Sequence, residues 1–114
     1  MAGWVDVARA DEIPAGAFKV IEVDGAMVAV FNLNGEFYAI DDVCTHDGGT
    51  LSGGEVSGEE VICPRHRARF NIKTGAVTAP PAYEPVHCFP LRVQDDRIQV
   101  RDDRWGEPEK GEDT

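Results

Sequence analysis

Between Asp41 and Pro85 glycine recurs at positions 48, 49, 53, 54, 58 and 75, and proline stands at 64, 80, 81 and 85. Such a stretch supports only short strands, which we place at Val61-Ile62, Phe70 to Ile72 and Ala76-Val77, with Thr74-Gly75 as a turn. A loop-rich segment of this length inside a compact domain is usually functional. It buries little apolar surface, so something other than a hydrophobic core must hold it together.

The flanks are different. Phe18 to Val23, Met27 to Leu33 and Glu36 to Ile40 are apolar, β-rich runs separated by Asp24-Gly25 and Asn34-Gly35. Both dipeptides are hairpin turn signals, so a three-stranded antiparallel meander is expected. Val86 to Val93 alternates, with Pro90 marking an edge or a bulge; Gln94 to Arg97 turns; Ile98 to Val100 is the last strand. Arg9 to Ile13 forms a brief turn at most, and no helix is expected. The expected fold is all-β. An antiparallel sandwich or barrel base, residues 1–40 and 86–103, carries a loop-rich insert at 41–85, and an acidic tail follows at 104–114.

The chain has 114 residues, enough for one domain and too few for a large two-domain enzyme. At 42% hydrophobic it can build a core. Its net charge of −10 disfavours nucleic acid and anionic membranes as partners and favours a protein with a basic docking face. No apolar run is long enough for a membrane span, and the N-terminus lacks the pattern of a signal peptide, so a cytoplasmic location is expected.

The insert holds Cys44-Thr45-His46 and Cys63-Pro64-Arg65-His66, a C-x-H and a C-x-x-H separated by residues 47 to 62. Two soft sulfurs and two imidazole nitrogens suit zinc or a mixed-ligand iron–sulfur centre. Structural zinc sites usually pair cysteines in one knuckle and histidines in another. Here each short motif mixes the two, as a [2Fe-2S] core with both cysteines on one iron and both histidines on the other would require. Zinc in a Cys₂His₂ module stays the rival, and the absorption spectrum decides between them.

With their flanks, these motifs carry a family resemblance over nearly the whole chain. It runs from Trp4 through Ala29-Val30-Phe31-Asn32 and Tyr38 to His46. It continues through Cys63 to His66, Arg69-Phe70, Lys73-Thr74-Gly75 and Pro80-Pro81 to Phe89-Pro90-Leu91. The chain resembles the Rieske-type ferredoxins of bacterial aromatic-ring dioxygenase systems. The resemblance implies one [2Fe-2S] cluster, with Cys44 and Cys63 on one iron and His46 and His66 on the other through Nδ1. It also implies that Ala79-Pro80-Pro81 is the proline loop covering the cluster. The partners it implies are an NAD(P)H-dependent flavoprotein reductase and a terminal oxygenase. The chain itself is then a one-electron carrier and not an enzyme. The alternatives are the small Rieske-like subunit of an assimilatory nitrite reductase and a ferredoxin serving some other oxygenase.

Neutral imidazoles in place of thiolates make the cluster easier to reduce. Rieske centres accordingly lie at roughly −150 to +300 mV, against about −400 mV for plant-type ferredoxins. High-potential relatives resemble one another in an extra disulfide and in hydroxyl donors to the cluster. This chain has Asp47-Gly48-Gly49 in one loop and Arg67-Ala68-Arg69 after His66, which implies the low end of the range. Relatives usually place a glycine just after the second histidine, and Arg67 and Ala68 stand there instead. Arg65, Arg67 and Arg69 form a local basic group, read either as solvated arginines or as a docking contact. Cys88 is expected to face the core, His87 to be an exposed strand residue, Asp41 and Asp42 to serve a turn, and Trp4 and Trp105 to pack near the chain ends.

Overall fold

The computed structural model describes residues 3–23, 25–45, 48–64 and 66–102. The eleven strands among them are β1 (Val5–Arg9), β2 (Phe18–Val23), β3 (Ala26–Leu33), β4 (Glu36–Asp41), β5 (Val56–Ser57), β6 (Glu60–Ile62), β7 (Arg69–Asn71), β8 (Val77–Ala79), β9 (Cys88–Phe89), β10 (Leu91–Gln94) and β11 (Arg97–Val100). They form three antiparallel sheets ordered β1-β11-β10, β2-β3-β4-β9 and β5-β6-β7-β8. The only helical element among the described residues is a 3₁₀ turn at Ala10–Glu12.

The meander β2-β3-β4 forms as its turn residues dictate. Asn34 and Gly35, both at positive φ, close β3 onto β4. Asp95 and Asp96 repeat that left-handed pair between β10 and β11, the geometry of a tight hairpin turn whose twist matches the strands. Asp24 lies outside the described residues.

Because side chains alternate across a strand, β3 serves two cores. Val28 and Val30 face one with Ala8, Ile13, Ile98 and Val100, between the first two sheets. Ala29 and Phe31 face the other with Val61, Phe70 and Ile72 of the third sheet region. β4 does the same with Ala39 and Ile40. A slip of one residue in β3 would exchange the two faces, so the register is strongly specified.

Three sequence expectations change. The run Val86 to Val93 is not one strand. It breaks at Pro90, which has no N–H to give: β9 pairs with β4, while β10 pairs with β11 in the other sheet. The pair β1 and β5 adds strands that the sequence reading did not place. His87 is half-buried ahead of β9, its ring edge-on to Phe89 at 4.8 Å.

Trp4 packs near the chain start, beneath the guanidinium groups of Arg92 at 4.4 Å and Arg101 at 5.2 Å. Trp105 and the acidic tail 104–114 lie outside the described residues. No helix among the described residues is long and apolar enough to cross a membrane.

Candidate metal centre

Two loops lead out of the core at buried cysteines. After β4, Asp42 is almost fully buried, and its carboxylate gathers the next loop around itself. Oδ1 accepts from the N–H groups of Leu51 at 2.9 Å and Ser52 at 2.7 Å, and Oδ2 from the Ser52 hydroxyl at 2.7 Å. Asp42 is therefore a brace that draws residues 51 and 52 back against the start of the first loop. The sequence reading of a simple turn residue missed this. The signal was only an acidic residue placed where the strand ends.

Inside that brace the Cys44 N–H donates to the Gly49 carbonyl at 2.7 Å, and the Gly48 N–H donates back to the Cys44 carbonyl at 2.8 Å. The second loop repeats the pattern. The Cys63 N–H donates to the Ala68 carbonyl at 2.7 Å, and the Arg67 N–H donates to the Cys63 carbonyl at 3.0 Å. Positive φ falls on Gly48 (78°) and on Arg67 (66°). The missing glycine after His66 thus leaves the loop shape in place: an arginine takes the left-handed conformation that glycine adopts without steric cost.

Both thiols are fully buried and belong to one apolar cluster with Leu51, Ala68, Phe70 and Ala82. His66 is exposed in the turn after Pro64. His46 and Arg65 lie outside the described residues. The segment after β8 contains the Pro80–Pro81 cis peptide, and Ala82 anchors it in the shared core. The Thr45 hydroxyl donates to the Glu84 carbonyl at 2.6 Å and ties the first loop to this segment.

The third sheet steadies the second loop from below. Arg69 pairs with Glu60 at 3.0 Å, and the Thr78 hydroxyl and the Arg69 guanidinium hold the Glu60 carboxyl below the usual carboxylate range. Gly75 cannot carry a side chain. A Cβ there would overlap the Val86 carbonyl, and the Gly75 carbonyl accepts from the Val86 N–H at 2.9 Å. Cys88 is half-buried, and burial pushes its thiol pKa up; its Sγ lies 4.0 Å and 3.8 Å from the Ile72 and Lys73 carbonyls. It packs against the edge of the same apolar cluster.

Two buried thiols framed by matching loops, with an exposed imidazole at the rim, form a donor set that a small iron–sulfide unit fits. The Rieske [2Fe-2S] domain model matches residues 3–90. The chain belongs to the Rieske [2Fe-2S] family. It shares 41% identity over 85 residues with the biphenyl dioxygenase ferredoxin subunit of Pseudomonas sp. (strain KKS102), covering 74% of this chain and 78% of that one. The ferredoxin of carbazole 1,9a-dioxygenase from Nocardioides aromaticivorans IC177 superposes with a TM-score of 0.81 at 35% identity, over 85% of this chain and 95% of that one. The small subunit assigned to an NADH-dependent nitrite reductase in Mycobacterium tuberculosis is less similar, with a TM-score of 0.77 at 26% identity over 90% and 96%. This Rieske protein carries one [2Fe-2S] cluster and is an electron-transfer component, a ferredoxin and not a catalytic subunit.

Proposed function

We propose that Cys44 and Cys63 hold one iron of the cluster and His46 and His66 the other, so that the histidine side is where electrons enter and leave. In this reading residues 41–85 are the cluster-binding insert on a base formed by 1–40 and 86–103. The observation that carries it is the matched pair of loops: each presents a fully buried cysteine, and the second places His66 at the surface. Burial keeps water from the thiolates, while exposure of the imidazole rim shortens the path to a partner.

When bound, the cluster supplies reversible one-electron transfer. The chain's own residues position and shield it. Asp42 fixes the first loop, Ala68 and Ala82 close the apolar shell, and Thr45 secures the cover. Electrons would pass from an NAD(P)H-dependent flavoprotein reductase in the cytoplasm to the terminal oxygenase of an aromatic-ring dioxygenase system. The biphenyl and carbazole dioxygenase relatives support that role over the nitrite reductase subunit. The oxygenase is a separate chain: it needs a substrate pocket and a mononuclear iron site, and this chain's ligand set is already committed.

Iron and acid-labile sulfide analysis, with electron paramagnetic resonance of the reduced protein, tests the ligand set. Cys44→Ala, Cys63→Ala, His46→Ala and His66→Ala should each lose the Rieske signal, and Cys88→Ala should keep it. A retained Rieske signal in any of the four, or its loss in Cys88→Ala, overturns the assignment. Substrate-dependent turnover by a ring-hydroxylating oxygenase and its reductase, dependent on added ferredoxin, tests the pathway.

A further inference from the structure

We propose that Arg67 is a cationic docking contact for a partner protein whose electron-exchange site is rimmed by carboxylates. This rests on the reading that the His66 edge is the point of electron exchange. Arg67 directly follows His66, and both are exposed. Its backbone is fixed on both sides. The Arg67 N–H is bonded to the Cys63 carbonyl, and the next residue, Ala68, is fully buried with its carbonyl bonded to the Cys63 N–H.

The position is unfavourable for arginine. A non-glycine residue at φ 66° is uncommon and costs free energy, and such strain tends to sit at functional sites. Among the described residues the Arg67 side chain makes no ion pair that would offset that cost. Arg69, by contrast, is engaged by Glu60.

The setting sharpens the point. The chain carries a net charge of −10, so a guanidinium at the exchange edge gives a local field opposite in sign to the global one. Oppositely charged rims steer encounter and fix register. On the Pro80–Pro81 segment, which Thr45 ties to the first loop, Tyr83 is 84% exposed beside a groove of about 320 Å³ lined by Val77, Ala79 and Pro80. Tyrosine and arginine are the residue types that interfaces favour. The occupant is therefore a protein surface with carboxylates placed against Arg67 and apolar surface against Tyr83.

Oxidation of the reduced holoprotein by hexacyanoferrate(III), an anion, reads the local charge. The reduced protein gives up one electron and hexacyanoferrate(III) becomes hexacyanoferrate(II). Raising ionic strength from about 0.01 to about 0.1 M shortens the screening length from ~30 to ~10 Å. The wild-type rate should then fall severalfold, despite the negative net charge. Arg67→Gln should abolish or invert that slope, Arg67→Lys should keep it, and Arg97→Gln, with the same change in net charge on β11, should keep it too. As a readout apart from electron transfer, redox-inert hexacyanocobaltate(III) should shift the Arg67 Nε–H resonance of the oxidised protein. A wild-type rate that rises with salt, equal slopes for Arg67→Gln and Arg97→Gln, or an unmoved resonance overturns the proposal. Loss of the Rieske signal in the wild-type protein would instead overturn the reading beneath it.

Discussion

Gly48 and Arg67 hold equivalent places in two successive loops. Each donates its N–H to the carbonyl of a buried cysteine four residues earlier, and each does so at positive φ. One loop uses the residue suited to that backbone and the other does not. The two positions therefore answer substitution with opposite signs. Gly48→Ala has open space for its Cβ, so its cost is backbone strain alone, about 1 kcal/mol. Arg67→Gly relieves strain and should be neutral or stabilising by up to about 1 kcal/mol. Thermal unfolding of the two holoproteins, followed in the far ultraviolet, measures both.

The Asp42 brace makes a second prediction. Asparagine in its place keeps one oxygen for the Leu51 and Ser52 N–H groups, without the charge, and puts an NH₂ group where Oδ2 accepted from the Ser52 hydroxyl. With two N–H bonds weakened by loss of the charge and the Ser52 hydroxyl left without its acceptor in a buried setting, Asp42→Asn should cost about 1–2 kcal/mol. It should also shorten the lifetime of the cluster, read as faster bleaching of its visible bands in mild denaturant.

At Gly75 any side chain meets the Val86 carbonyl and the Cys88 sulfur. Gly75→Ala must displace backbone at a residue already at φ 81°. A loss of about 2–3 kcal/mol is expected, measured by denaturant titration.

Acid sensitivity follows from Glu60. Its folded-state pKa is held below the unfolded value by Thr78 and Arg69, so its stabilising contribution is present above the ordinary carboxylate range. That contribution is lost as pH falls through the folded-state value. Glu60→Gln should flatten this acid limb, and the effect should be small because the pair is partly exposed. Denaturant midpoints compared at neutral and acidic pH would show it.

The midpoint potential should lie near the lower end of the roughly −150 to +300 mV Rieske range. Ala68 and Gly49, at matching places in the two loops, bring no hydroxyl that could donate to sulfide. Potentiometry on the holoprotein gives the value, and a midpoint in the upper half of the range would contradict this expectation.

Much of this was legible in the residues. The meander was readable because hydrophobic runs and turn dipeptides are local signals, and β2 spans the expected Phe18 to Val23. β1 was not, because its partner lies at the far end of the chain: Val5 pairs with Val100. Pro90 announced a break, but only tertiary pairing decides that the two sides join different sheets. At the candidate metal centre the sequence offers donor types and their spacing. The Asp42 brace was not legible, because the N–H groups it satisfies lie across a loop whose path the sequence leaves open. The unusual backbone at Arg67 left one trace, a glycine missing where relatives usually have one.

The partition of β3 between two cores has a practical side. Ala29 and Phe31 pack against the compartment of Cys44 and Cys63, while Val28 and Val30 pack against the base. Neither compartment can melt without unroofing the other. The brown colour of the holoprotein should therefore fade in step with the loss of strand structure even when damage begins far away, so a simple visible-light melt would report the health of the entire molecule.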